Sequence, residues 1–203
     1  MKVGVLALQG DVPEHLAALA RLGGRAAGRP VRGPADLAKV DALFLPGGES
    51  TTIARLLRDS GLWGPLGERL DEGLPVLATC AGLIVLARHL DKSPSGPNPP
   101  TLGRLDVTVR RNDYGSQRES FEDAVAVDGL EGPPFPGVFI RAPRILRVGG
   151  GVTAFARRGA EVVGVRAGAV WGHTFHPELS GDPRLHEAFL AAAKRHLSRR
   201  TPA

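Results

Sequence analysis

A short apolar run, an isolated cysteine and a helical pattern follow one another in residues 74–83, Leu-Pro-Val-Leu-Ala-Thr-Cys-Ala-Gly-Leu. The apolar run has the length and the flanking Gly73 and Pro75 of a buried strand, and residues 81–90 have helical spacing. Cys80 therefore stands at a sharp turn from strand to helix, an arrangement that lifts a nucleophile above a sheet. A helix N-terminus also favours the reactive thiolate. We predict a catalytic thiol here, against the alternative that a lone cysteine is a small buried apolar residue.

Composition limits the class of protein. With 203 residues, of which 42% are hydrophobic and 23% charged, we expect a single domain over residues 1–203. One cysteine excludes an internal disulfide and a Cys-based zinc site. We find no signal peptide and no apolar run long enough for a membrane span, so we expect a cytoplasmic protein with no membrane contact. The net charge is +5, but the basic residues are scattered and there is one Tyr, so we expect no nucleic-acid partner.

Strands and helices alternate in the first half of the chain. Apolar runs at residues 3–8 and 42–45 are typical of parallel strands buried on both faces, whereas residues 24–34 give only a weak strand signal. Helical patterns cover residues 12–22, 35–40, 50–58 and 65–72. The alternation predicts an α/β fold, a three-layer sandwich around a mainly parallel mixed sheet, of the flavodoxin-like kind.

The first helix carries two further signals. Asp11 and Glu14 have the spacing of a capping box, which predicts that the Asp11 side chain caps the helix. Leu16 and Leu19 belong to its apolar face, and we interpret His15 as a solvated helix residue.

The pattern changes after residue 104 to short strands separated by Gly and Pro turns. A Pro-rich surface loop is expected at residues 91–103. Strand patterns cover residues 105–109, 124–127, 138–140, 152–156, 162–165 and 170–175, and a helix is predicted at residues 182–197. We expect these strands to extend the sheet in antiparallel fashion.

A second informative stretch, residues 46–52, reads Pro-Gly-Gly-Glu-Ser-Thr-Thr and joins a strand to a helix. Two glycines at such a point let backbone N–H groups face outward into an anion-binding nest, although ordinary turn chemistry explains them equally well. We predict an oxyanion hole formed by the N–H of Ala81, just after the nucleophile, and that of Gly47 or Gly48.

A third stretch, Thr174-Phe175-His176-Pro177-Glu178, ends the last predicted strand. If the strand continues this far, its period of two places Thr174, His176 and Glu178 on one side. A thiol nucleophile needs a base, and the base needs an orienting acceptor, so we predict that His176 and Glu178 serve Cys80.

Six segments together resemble one family, the glutaminase subunits of pyridoxal 5′-phosphate synthase, which are class I (triad) glutamine amidotransferases. The Cys and His-Pro-Glu elements are common to triad amidotransferases, whereas Gly-Gly-Glu-Ser-Thr-Thr and Phe-Ile-Arg-Ala-Pro are more particular to this subunit. The segments, in chain order, are Leu8-Gln9-Gly10, residues 46–52, Thr79-Cys80-Ala81-Gly82-Leu83, Arg111-Asn112, residues 139–143 and Phe175-His176-Pro177-Glu178.

The resemblance implies a class I glutamine amidotransferase fold and a Cys80–His176–Glu178 triad that hydrolyses L-glutamine to L-glutamate and ammonia. It implies no cofactor and no metal, because pyridoxal 5′-phosphate is the product of the complex. The positions similar to glutamine-binding residues of the family are Gly47, Gly48, Glu49, Arg111, Ile140 and Arg141. Without the resemblance, the two arginines would be interpreted as solvated surface charges.

The family also implies a partner, a separate (β/α)₈ synthase subunit that receives the ammonia, in a complex of twelve synthases with twelve glutaminases. Gln9, Gly10 and Asp11, expected on the same sheet edge as the triad, are our candidates for the docking face.

Two alternatives are consistent with part of this pattern. Another triad amidotransferase or a γ-glutamyl hydrolase would share Cys80 and His176, although the segment at residues 139–143 argues against it. A catalytically silent regulatory subunit of the synthase would bind its partner without turnover, and the intact triad argues against that.

Overall fold

The computed structural model describes residues 1–23, 27–92, 96–113 and 120–200. Its strands are β1 (Val3–Leu6), β2 (Gly28–Val31), β3 (Ala42–Leu45), β4 (Val76–Thr79), β5 (Ala87–Leu90), β6 (Leu105–Arg110), β7 (Phe121–Val127), β8 (Phe135–Phe139), β9 (Arg144–Val148), β10 (Thr153–Arg158), β11 (Glu161–Ala167) and β12 (Val170–His173). Its helices are α1 (Val12–Arg21), α2 (Pro34–Leu37), α3 (Ser50–Asp59), α4 (Trp63–Asp71), α5 (Ala81–Leu86) and α6 (Arg184–Arg200), with a 3₁₀ turn at Pro177–Leu179.

The predictions for the weak second strand and the Pro-rich loop fall partly on residues 24–26 and 93–95, which lie outside the described residues. Within the described part of the second-strand region, residues 28–31 do form a strand, β2. Across the described ranges, no helix has both the length and the apolar character needed to cross a membrane.

One nine-stranded sheet organises the chain, in the order β2-β1-β3-β4-β12-β11-β10-β7-β8. Its first five strands are mutually parallel, and the pairs from β12 to β8 are antiparallel. The predicted α/β fold around a mixed sheet with an antiparallel extension is confirmed.

The sheet is covered on both faces, as the apolar runs predicted. Successive residues of β3 point to opposite sides: Leu43 and Leu45 pack in one core with α2, α3, α4 and α5, whereas Ala42 and Phe44 pack in the other with α1 and α6. All four residues of β3 are fully buried. The result is the predicted three-layer sandwich.

The prediction that residues 81–90 form one helix is wrong. Helix α5 ends at Leu86, because the segment before β6 supplies partners for its last carbonyl groups: Leu102 N–H donates to Val85 O at 2.7 Å, and Arg104 N–H donates to Leu86 O at 2.8 Å. The chain then continues as the extended strand β5, which pairs with β6.

The antiparallel extension is also only partly as predicted. β6 does not join the main sheet; it forms a separate three-stranded sheet with β5 and with β9, a strand that the sequence pattern did not reveal. In β9 only Ile145 is buried, so the strand lacks the clear apolar alternation by which we recognised the others.

Gly82 allows α5 to pack closely on β3. A Cβ atom at Gly82 would lie 2.5 Å from the carbonyl oxygen of Leu45, a backbone atom that cannot move aside cheaply. Gly82→Ala should therefore lower the free energy of unfolding by about 1–3 kcal/mol, as overpacking does, in a chemical denaturation experiment.

The matched control is Gly64→Ala in α4, where an added Cβ meets nothing within 4 Å. This variant should be neutral or stabilised by up to about 1 kcal/mol, because alanine favours the helix. Equal stability of the two variants would contradict the role assigned to Gly82.

Candidate active site

The candidate site lies where four neighbouring parallel strands end. β1, β3, β4 and β12 are adjacent in the sheet and run in the same direction. Their carboxyl ends lead respectively to Gln9 and Asp11, to the Gly47–Glu49 turn, to Cys80 and to His176. Residues from four separate segments thus meet at the edge where open α/β sheets bind ligands.

Cys80 occupies the turn between β4 and α5, as predicted. Its backbone has φ +48° and ψ −99°, an unusual conformation for a residue with a side chain and one typical of a strained nucleophile turn. Its N–H donates to the carbonyl of His173 at 2.8 Å, which ties the turn to the end of β12. Cys80 is almost fully buried and lines an open cavity of about 470 Å³.

His176 and Glu178 come together, but not for the reason the sequence suggested. β12 ends at His173, and Glu178 belongs to the 3₁₀ turn rather than to an extended strand. The turn brings the Oε1 atom of Glu178 to 2.7 Å from His176 Nδ1. The other ring nitrogen, Nε2, makes no hydrogen bond to the described residues, and the interaction between the imidazole and Cys80 is strong enough to raise the pKa of His176.

Asp11 belongs to the site and does not cap α1. Its side chain makes no helix-capping hydrogen bond, so the predicted capping box is absent. Instead, Asp11 Oδ2 lies 3.2 Å from His176 Nδ1, which places a second carboxylate beside the same ring nitrogen as Glu178.

These contacts set the protonation states of His176 and Glu178. Burial lowers the pKa of His176, but the neighbouring Asp11, Cys80 and Glu178 side chains outweigh it and hold that pKa well above the usual value. Burial raises the pKa of Glu178, and its hydrogen bond with His176 opposes this rise. The raised pKa favours the protonated form of the His176 imidazole.

The turn after β3 interlocks with the turn after β1. Asp11 N–H donates to Gly47 O at 3.2 Å, Gln9 Oε1 accepts from Glu49 N–H at 2.9 Å, and an added Cβ at Gly10 would overlap the Gly47 carbonyl. The residues predicted for docking are thus in direct contact with those predicted for the oxyanion hole.

The predicted glutamine-binding residues surround the same cavity. Gly48, Glu49, Arg111, Ile140 and Arg141 line it, together with Gln9, Asp11, Ser50, Ile84 and Asn112. Gly47 and Ala81 flank the same turns, and a Cβ at Gly47 would overlap the His176 ring.

The two arginines of this set differ. Arg111 is only 5% exposed, so its interpretation as a solvated surface charge is wrong, and its guanidinium donates to Glu49 Oε1 at 3.2 Å and to Thr51 Oγ1 at 3.3 Å. Glu49 in turn caps α3 by accepting from Thr52 N–H at 2.7 Å. Arg141 is exposed and has φ +43°, a strained conformation for a non-glycine residue.

Asp11, His176 and Glu178 are also the one group among the described residues whose ligand atoms, all within 4.8 Å of one another, could hold a metal ion. Two ligands of a tetrahedral metal, each about 2.0–2.1 Å from it, stand about 3.4 Å apart. The 2.7 Å separation of His176 Nδ1 and Glu178 Oε1 is that of a hydrogen bond, so the geometry favours a proton between them.

Sequence reasoning also missed His15. It is fully buried, not solvated, and its Nε2 atom lies 3.6 Å from Glu178 Oε2. His15 follows Asp11 by one helical turn, on a helix that packs against the sheet, and this position was the available signal. Helical periodicity alone did not indicate that the His15 side chain faces the sheet.

Comparison with known proteins agrees with this geometry. The SNO glutamine amidotransferase family matches residues 5–195 of the chain. The chain belongs to that family. The prediction of a glutamine amidotransferase is therefore confirmed at the level of the family.

Individual relatives match this chain over nearly its whole length. A protein of Streptomyces coelicolor named pyridoxal 5′-phosphate synthase subunit PdxT is 51% identical over 187 residues, 92% of this chain and 91% of the relative. A protein of Deinococcus radiodurans with the same name is 52% identical over 194 residues, 95% and 97% of the two chains. A crystal structure of a glutamine amidotransferase superposes with a TM-score of 0.87 at 47% identity, covering 96% of this chain and all of the other.

Buried histidines such as His173 and His186 make stability depend on pH. Burial lowers the pKa of His173 to about 3 and that of His186 to about 4, although a hydrogen bond with Phe175 opposes the shift at His173. Because the unfolded chain binds these protons from about pH 6.5 downward, stability present above that pH is lost as the pH falls towards 4.

Replacing His186 with Met should remove one of these contributions. Between pH 7 and pH 5 the variant should lose about 2 kcal/mol less of its free energy of unfolding than the parent chain, measured by denaturation at each pH. A parallel decline in the two proteins would contradict a neutral buried His186.

Asp11→Asn removes a hydrogen-bonded carboxylate that raises the pKa of His176. The imidazole should then titrate at lower pH than in the parent chain, followed by NMR of the His176 ring. Glu14→Gln, the same carboxylate-to-amide change at a partly buried position one turn away in α1, is the control and should leave the titration unchanged. An Asp11 variant that titrates like the parent would show that this carboxylate does not act on the ring.

Proposed function

We propose that the chain hydrolyses L-glutamine to L-glutamate and ammonia, as the glutaminase subunit of a pyridoxal 5′-phosphate synthase, within one domain over residues 1–203. The observation that carries the proposal is the meeting of Cys80 with the hydrogen-bonded pair His176–Glu178 at the end of the parallel strands, in a chain about 50% identical to proteins named as that subunit.

Cys80 is the nucleophile in this proposal. Its thiol proton passes to His176 Nε2, and the thiolate sulfur attacks the side-chain amide carbon of glutamine. The carbonyl oxygen becomes an oxyanion, held by the N–H of Ala81 and that of Gly47 or Gly48. As this intermediate collapses, the C–N bond breaks, His176 gives its proton to the departing nitrogen, and ammonia and a thioester result.

Water completes the reaction. His176 takes a proton from the attacking water, the C–S bond breaks, and the proton returns to the thiolate as glutamate leaves. Glu178 orients the imidazole throughout. Side chains and water suffice for these steps, so the proposal includes no cofactor, and pyridoxal 5′-phosphate is the product of the assembled synthase.

Substrate is held by the residues around the cavity. We assign glutamine binding to Gly47, Gly48, Glu49, Arg111, Ile140 and Arg141. The ion pair between the buried Arg111 and the partly exposed Glu49, with an N–O distance of 3.2 Å, supports a preorganised site, because each side chain is held by the other before substrate arrives.

The partner proposed is a (β/α)₈ synthase subunit, in a complex of twelve copies of each chain. Ammonia is largely protonated at neutral pH and is then no nucleophile, so direct transfer to a partner has a chemical advantage. Gln9, Gly10 and Asp11 are the proposed docking residues, and their contacts with the Gly47–Glu49 turn would let docking act directly on the site.

The experiment that tests this function is glutamate release from L-glutamine by the purified chain, with and without the synthase subunit of the same organism. Marked stimulation by the synthase is expected. Strong turnover that ignores the synthase would favour a different amidotransferase or a γ-glutamyl hydrolase. No turnover with the synthase bound would favour a silent regulatory subunit.

Cys80→Ala should lower glutamine hydrolysis by at least about 10⁴-fold, as expected for a triad nucleophile, while binding to the synthase survives. Glu178→Gln should be milder, because that side chain orients rather than reacts. Steady-state turnover and co-sedimentation with the synthase measure the two properties. Near-normal turnover by the alanine variant would rule out the thioester mechanism.

A further inference from the structure

The second oxygen of Glu178 faces a buried histidine that the mechanism above does not use. Oε1 of this carboxylate lies 2.7 Å from His176 Nδ1. Oε2 is buried with no hydrogen bond to any described residue, and His15 Nε2 lies 3.6 Å from it. Both side chains are completely shielded from water.

His15 itself has no better partner in the part of the chain that the structure describes. Neither of its ring nitrogens makes a hydrogen bond to the described residues, and its ring packs against Phe44 and His186 at centroid distances of 5.8 and 5.9 Å. Two unsatisfied buried polar atoms thus face each other just beyond hydrogen-bond distance. A movement of a few tenths of an ångström would satisfy both, and catalytic hydrogen bonds often tighten when substrate binds.

We propose that His15 is a positioning residue that donates a hydrogen bond from Nε2 to Glu178 Oε2, and so holds the other oxygen of that carboxylate against His176. The inference rests on the proposed glutaminase function. It extends the predicted triad by one residue, from Cys80 through His176 and Glu178 to His15 on α1.

The surroundings of His15 favour a neutral imidazole that can act as a donor. Burial lowers its pKa well below the usual value, and the nearby His186, His173 and His176 lower it further. A neutral ring carries one proton, and Nε2 is the nitrogen that faces an acceptor.

Few other charged groups of the described residues act on Glu178. Asp11 and His176 act on its carboxylate, the first raising and the second lowering its pKa, while burial is the largest influence and raises it. A donor on Oε2 therefore opposes burial and helps to keep the carboxylate ionised. Without the donor, Glu178 would take up a proton at a higher pH than in the parent chain. Its hydrogen bond with the His176 imidazolium would then be weakened.

The test compares His15→Met with His15→Gln in complex with the synthase. Met and Gln are nearly the same shape, but only the Gln amide can donate a hydrogen bond. For His15→Met, kcat for L-glutamine should fall about 10- to 100-fold with KM nearly unchanged, and the acid limb of the rate profile should move up by about one pH unit. His15→Gln should recover most of kcat and the original profile.

His186→Met is the matched control, because His186 is equally buried beside His15 and no contact joins it to Glu178 in the described structure. It should leave kcat and the acid limb unchanged. Equal losses in His15→Met and His15→Gln, or an unshifted acid limb in His15→Met, would overturn the proposal.

A measurement on the unsubstituted chain guards against variants that fail to fold. The ¹⁵N chemical shifts of the His15 ring should show a protonated Nε2 and an unprotonated Nδ1. The opposite tautomer would overturn the proposal. This result is independent of turnover, so absence of glutaminase activity in the parent complex would count against the proposed function and not against the hydrogen bond.

Discussion

Coverage of the parallel strands on both faces decides where this protein can place polar chemistry. β3 and β4 are buried along their whole length, so their side chains serve the packing of the core, apart from Thr79, whose hydroxyl contacts the His173 ring. Substrate can reach such strands only at their ends, where the backbone leaves the sheet and its groups become available. The four adjacent strands β1, β3, β4 and β12 therefore bring the candidate nucleophile, base and anion-binding turn to a single edge.

Burial also gives the site its electrostatic character. The same loss of water that keeps His15 and His173 neutral would neutralise His176 as well, were it not for the groups placed against its ring. Two carboxylates and a thiol reverse the effect of burial at this one histidine. One ring that readily holds a proton thus lies among rings that do not, which suits a base that must take and return a proton repeatedly.

Local sequence patterns predicted much of this arrangement, and their errors have a common origin. The turn at Cys80, the two-glycine turn and the pairing of His176 with Glu178 were all recognisable from residue types and spacing. The strand geometry invoked for the pair was wrong, because the 3₁₀ turn replaces the strand after His173. Asp11 has the spacing of a helix cap, yet its carboxylate contacts a ring 165 positions away in the sequence.

The sequence by itself determined the alternation of strands and helices, the buried parallel core and the strand-to-helix turn at Cys80, because each depends on periodicity or turn residues within a short window. Only the tertiary structure decided that His15 lies behind Glu178, that Asp11 lies beside His176 and that β5, β6 and β9 form a sheet of their own. The physical reason is that these outcomes depend on packing and hydrogen bonding between distant segments, which compete with local preferences and leave no periodic signal in either segment.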